Sequence, residues 1–113
     1  MILVIHSILY NDILNNAGKF REKDDINNGK IYFGGVEQRE FKAKYTGSPP
    51  QEIEKKIIEA IQHLVNGNES SINNAMRFYQ KFVYCHPFYD ANGRIARLIV
   101  SIYLYNKDLI IDW

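Results

Sequence analysis

Four stretches of this chain repeat their apolar residues at helical spacing, and one alternates like a strand. In the first, Ile5, Ile8, Leu9 and Ile13 share one face, with Gly18 as the expected stop. His6 lies beside that stripe and reads as a surface or satisfied histidine. The second is announced by Ser48-Pro-Pro-Gln51. Ser48 is the expected cap, Pro49 fits the first turn, and Gln51 completes a capping box. Ile53, Ile57, Ile58, Ile61, Leu64 and Val65 then predict one buried face, ended by Gly67. The third helix is expected to start near Ser70 or Ser71 and to bury Ile72, Ala75, Met76, Tyr79, Phe82 and Val83. It must stop at Pro87, which pushes His86 out of helical geometry. The fourth, Ile95 to Tyr105, is apolar almost all round, as in a helix buried in the middle of a domain.

Residues 20–47 differ. Asn28-Gly29 between Ile26 and Lys30-Ile-Tyr-Phe33 signals a type I′ hairpin turn. Phe41, Ala43 and Tyr45 alternate with Lys42 and Lys44 at strand period, and Gly34-Gly35 permits a bend. A small hairpin between helices is predicted. Such a piece is marginal alone and must lean on something.

Length then bounds the answer: 113 residues make one domain with one modest core. A net charge of +1 disfavours a nucleic-acid binder, which carries a basic excess. The single cysteine, Cys85, excludes an internal disulfide and a cysteine-based zinc site, and suggests a reducing compartment. It reads as a small buried residue. Met1 to Ile5 is too short for a membrane span and lacks the basic flank of a signal peptide.

The candidate chemistry lies at His86-Pro-Phe-Tyr-Asp-Ala-Asn-Gly-Arg94, followed by Ile95-Ala-Arg97. A histidine at a helix break is followed by a carboxylate, a turn and a helix start bearing two arginines. The start of a helix offers unpaired N–H groups and the positive dipole end, an anion site. Arg94, Arg97 and Ser101 share one stripe, and arginine forks suit phosphate oxygens. Asp90 suits Mg²⁺ held alongside phosphates, and His86 suits a general base. Phe88 should anchor the loop in the core. Singly, each residue also has a bland reading as terminator, turn or ion-pair partner.

Jointly they match His-x-Phe-x-Asp/Glu-Gly/Ala-Asn-Gly/Lys-Arg, the signature of the Fic (Fic/Doc) family, which this chain resembles. Arg97 fits the family's second arginine. Ala17-Gly-Lys-Phe-Arg21 is similar to the segment before the family's flap, and Pro49-Pro50 to a proline pair before its next helix. The resemblance implies an all-α fold, a compact Fic-type helical bundle with a short β-hairpin flap, filling residues 1–113 as a single domain core, minimal or truncated at its C-terminus. It implies a protein adenylyltransferase moving AMP from ATP to a Ser, Thr or Tyr hydroxyl of a target protein. His86 would deprotonate that hydroxyl and Asp90 would hold Mg²⁺. Asn92 and the backbone near Gly93 would line the anion hole, with Arg94 on the β-phosphate and Arg97 on the γ-phosphate. Ile31, Tyr32 and Phe33 of the flap would clamp the target by strand addition.

Two departures qualify this. Ala91 stands where glycine is commoner, as in the Doc-like branch, yet Gly93 replaces the lysine that goes with that branch's phosphate transfer. The family's inhibitory motif is absent, since none of the seven glutamates precedes Gly or Asn. An antitoxin or regulatory partner supplying the inhibitory helix, a segment outside this chain, and a different regulation all fit. Transfer of another group, and a silent nucleotide- or protein-binding module, stay open as alternatives. The expected setting is cytoplasmic, or a host cell reached as an effector, with no nucleic acid and no membrane; homo-oligomerisation stays open.

Overall fold

Ser70 opens α3 (Ser71–Cys85) as expected: its hydroxyl accepts from the Asn73 N–H at 3.2 Å. The computed structural model describes residues 1–11, 14, 16–33 and 45–113. Along these run α1 (Ile2–Tyr10), β1 (Tyr32–Phe33), β2 (Tyr45–Thr46), α2 (Ile53–Val65), α3 and α4 (Asn92–Tyr105). Among the described residues the fold is mostly helical with one two-stranded antiparallel hairpin, as the sequence predicted. Among the described residues, no helix is long and apolar enough to cross a membrane.

The core forms where α3 lies between α2 and α4. Ile53, Ile57 and Ala60 meet Ala75, Phe78, Phe82 and Cys85, and these meet Ile95, Ala96, Val100 and Leu104. The burial is narrower than the apolar pattern. Ile58, Val65 and Ile72 are exposed, and Phe78 takes a fully buried place that the expected set omitted. Helix α4 also shows Leu98, Ile102 and Tyr105 to solvent, so it is buried on one face and not all round. Ser101, on the stripe of Arg94 and Arg97, accepts from Trp113 Nε1 at 3.0 Å, and the Trp113 ring stacks on Tyr79.

Helix α1 departs further. Ile8 and Leu9 are exposed, while Ile2, Ile5 and Tyr10 pack on the core and His6 is buried. Ile13 lies outside the described residues. Gly18 adopts a positive φ of 77°, beyond the described bounds of α1, and residues 12, 13 and 15 between them lie outside the described residues.

The hairpin also differs from expectation. Asn27, Asn28 and Gly29 all take positive φ, yet they lie in successive tight turns, Asn28 N–H on Asp25 O and Lys30 N–H on Asn27 O, not in the turn between paired strands. Asn-Gly fixes only local dihedrals; which strands pair depends on longer contacts. Here β1 pairs with β2, Tyr32 opposite Thr46 and Phe33 opposite Tyr45. The connection, with Gly34-Gly35 and Phe41 to Lys44, lies outside the described residues. Ser48 does not cap α2. Its N–H donates to Cys85 O at 3.0 Å, and the helical turn begins only at Pro50.

The α3 cap gives a direct check. Ser70→Ala should cost about 1 kcal/mol, the usual loss for a serine cap, read as a lower urea midpoint with an unchanged slope.

Candidate functional site

His86 ends α3 in left-handed backbone, at φ 52° and ψ 60°. Proline at 87 bars helical geometry at the preceding residue, and the αL cap lets His86 N–H still reach Phe82 O at 3.0 Å. Nδ1 of the imidazole lies 3.3 Å from Val83 O. A carbonyl only accepts, so this bond places the proton on Nδ1 and leaves Nε2 as an acceptor with no partner among the described residues. Burial is the main cause holding the His86 pKa below its ordinary value; the Arg21 charge lowers it further, while the Val83 bond and Asp90 oppose. The ring is therefore neutral at pH 7 and equipped to take a proton at Nε2.

Residues 87–91 form a short loop pinned at several points. Phe88 is buried, with its ring stacked on His6 at 3.8 Å and an interplanar angle of 3°. Both polar atoms of the buried Asn92 side chain bond the Phe88 backbone: Phe88 N–H donates to Oδ1 and Nδ2 donates to Phe88 O, each at 2.8 Å. Asn92 thus braces the loop with its side chain, while its backbone N–H and the second Nδ2 hydrogen have no partner among the described residues. Tyr89 donates to Asp25 Oδ2 at 2.6 Å, and desolvation followed by this bond pushes its phenol up to about 12.

Ala91 precedes α4 with φ 67°. Glycine adopts that backbone without the Cβ penalty, which gives glycine a physical advantage at this position. Helix α4 has no side-chain N-cap. Its first bonded amide is that of Ile95, which donates to Ala91 O at 3.0 Å. The N–H groups of Asn92, Gly93 and Arg94 have no partner among the described residues. Asp90 stands just before them, exposed, with Oδ1 accepting from Ala91 N–H at 2.7 Å. Arg94 is exposed, Arg97 half-buried, and neither forms an ion pair among the described residues. A Cβ added at Gly93 would lie 2.9 Å from Arg97 Nη1, so the guanidinium folds back across the helix start. His86, Asp90, Gly93, Arg94 and Arg97 are thus gathered along the end of α3, one loop and the start of α4.

The flap leans on this site. Phe33 stacks on the His86 ring at 4.2 Å and 12°, and Tyr45 and Tyr84 complete an aromatic cluster. Tyr32 is exposed, and Ile31 is half-buried with its carbonyl accepting from Gly47 N–H at 2.9 Å.

The pattern of the Fic/DOC family matches residues 1–104. The chain belongs to the Fic/DOC family. Among solved structures, the chain is similar to a Fic family protein from Desulfovibrio desulfuricans G20, with a TM-score of 0.75 and 25% identity, over 94% of this chain and 30% of that one. Among curated proteins it is 27% identical, over 100 residues, to the ribonucleoside-diphosphate reductase small chain of Ostreid herpesvirus 1 (isolate France). That match covers 86% of this chain and 17% of the viral protein, so the chain spans a minor part of both relatives.

The roles of two residues of this Fic site escape the sequence reading, in which His6 is only a surface or satisfied histidine and Arg21 only part of the segment similar to the one before the family's flap. His6 Nδ1 accepts from Gly18 N–H at 2.9 Å, which leaves the proton on Nε2, 3.3 Å from Asp90 O. It ties α1 to the loop that carries the carboxylate. The other is Arg21, buried beneath the flap. No spacing rule finds either, because their partners are distant: 84 residues for His6 to Asp90 and 65 for Arg21 to His86.

Proposed function

We propose that this Fic protein is a protein adenylyltransferase that moves AMP from ATP onto a hydroxyl of a target protein. The observation that carries this reading is at Gly93. With no side chain there, Arg97 lies over the helix start, beside three N–H groups that have no partner among the described residues. A polyphosphate can then run along that end, its α-phosphorus toward His86 and its β- and γ-phosphates on Arg94 and Arg97. A lysine at 93 would occupy the same space.

His86 Nε2 takes the proton of the target hydroxyl as its oxygen bonds the α-phosphorus. The bond from the α-phosphorus to the bridging oxygen breaks, and diphosphate leaves with the electron pair. Charge builds on the phosphate oxygens, where the free N–H groups and arginines are already arranged to stabilise it.

Asp90 fits a bound Mg²⁺. It is exposed beside the anion site, with Oδ1 oriented by the Ala91 N–H. Among the described residues, no group of three His, Cys, Asp or Glu could hold a metal by protein ligands alone. Magnesium commonly uses one or two carboxylates with substrate phosphates and water. When bound it would neutralise charge on the phosphate oxygens.

The target segment adds to β1, whose other edge has no partner strand among the described residues. A cleft of about 690 Å³ lined by Lys23, Lys30, Tyr32 and Thr46 lies beside it and accommodates target side chains.

Parallel incubations with α-labelled and γ-labelled ATP test the transferred group. Label entering protein only from the α position is the expected result. Label entering from the γ position would instead make the chain a phosphotransferase, and label from neither a binding module.

A further inference from the structure

Arg21 is 2% exposed and has no carboxylate partner among the described residues. A guanidinium so placed is tolerable only if its donors are used. They are used on main-chain oxygens. Nε donates to His86 O at 2.7 Å, Nη1 to Gly29 O, and Nη2 to Ser48 O at 2.6 Å and Cys85 O at 3.1 Å. Gly29 lies on the approach to β1 and Ser48 on the exit from β2, so both feet of the flap are bonded. Cys85 O and His86 O flank the left-handed residue itself. The cation also faces the negative end of the α3 dipole.

Other contacts tighten the same joint. Arg21 N–H donates to Pro87 O at 3.0 Å. A Cβ added at Gly47, in the flap's exit, would lie 2.6 Å from Ile31 Cγ2, 2.9 Å from Arg21 Nη2 and 3.3 Å from His86 Cβ, so flap, arginine and base meet there. Left-handed backbone at a non-glycine residue persists where its surroundings over-determine it. Here Arg21 supplies the bonds on both sides of His86.

We propose that Arg21 is a positioning residue: its guanidinium locks the left-handed backbone of His86 to both feet of the flap, so that one side chain aligns the base with the target clamp. The inference rests on the reading of His86 as the base. Lysine is no substitute, because a point charge on a flexible stem cannot hold several carbonyls at fixed directions.

The test uses Arg21→Lys, with Gly47→Ala as a second variant that crowds the joint while keeping every donor. The tautomer of His86 is read by NMR on ¹⁵N-histidine-labelled protein, and transfer kinetics are read beside it. In folded Arg21→Lys the single Nδ1–H form should give way to a tautomer mixture. The kcat should fall about a hundredfold, the scale of a small misplacement of reacting groups, with ATP affinity unchanged and KM for the target raised. Gly47→Ala should move the same quantities less. An unchanged tautomer with unchanged kcat in Arg21→Lys overturns the proposal. Should neither variant fold, the wild-type protein decides. Arg21 Nε–H must then exchange slowly and couple through its hydrogen bond to the His86 carbonyl carbon; exchange as fast as in free arginine overturns it. The tautomer readout needs no turnover. A wild type that transfers nothing, with a tautomer lost in Arg21→Lys, therefore refutes the transfer reading alone.

Discussion

His86→Ala should lower AMP transfer by about 10²- to 10⁴-fold, the usual contribution of a positioned general base, and leave ATP binding intact. The separation follows from geometry. The groups expected to hold phosphates are the free N–H groups of α4, Arg94 and Arg97, and none of them depends on the imidazole. The wild-type pH profile should report the same group. A base acts in its neutral form, so the rate should rise with pH through the pKa of His86 and then level off. Burial holds that pKa below the ordinary histidine value, which moves the rise to lower pH and puts neutral pH on the plateau. Near wild-type labelling by His86→Ala, or a rise that persists in that variant's residual activity, would assign the base elsewhere.

The largest stability effect is expected at Phe88. Its side chain is 1% exposed, stacks on His6 and meets Phe20 at 5.3 Å. Phe88→Ala removes both ring contacts and opens a cavity where the backbone is held by Asn92 and cannot easily collapse inward. Such truncations cost about 3–5 kcal/mol, a large part of the roughly 5–15 kcal/mol that stabilises a domain. For a domain of this size that corresponds to a melting temperature lower by roughly 10–20 °C. The loss should also loosen His6, and with it the Asp90 carbonyl that His6 holds. Calorimetry on the folded variant checks the first effect. An unchanged melting temperature would mean that the loop is not anchored by this ring.

The site was legible in the sequence because its parts are contiguous. Residues 86–97 carry the helix break, the carboxylate, the turn and the next helix start within a few residues, and local chemistry decides each. Pro87 fixes the break at His86, and Ser70 starts the preceding helix, independently of tertiary partners. The same holds for Cys85, whose thiol is buried and pushed up by desolvation, as suits a small core residue. What failed depends on distant partners. Asn28-Gly29 has the dihedrals of a hairpin turn but not its strands, because Arg21 takes the Gly29 carbonyl and β1 pairs with β2 beyond the turn. Ser48 has a capping side chain, yet its backbone is claimed by Cys85 and Arg21. Apolar patterning marked Ile8, Ile58 and Ile102 as core, whereas burial follows which neighbouring helix is actually present. His6 and Arg21 act through contacts that no local pattern encodes.

Intact-mass analysis of target proteins incubated with ATP, Mg²⁺ and this Fic protein decides which group is transferred. The wild-type chain should add the mass of one AMP unit to a target, and His86→Ala should add it about a hundredfold or more slowly. A gain of one phosphate in place of AMP, or an equal AMP gain with His86→Ala, would contradict AMP transfer with His86 as its base.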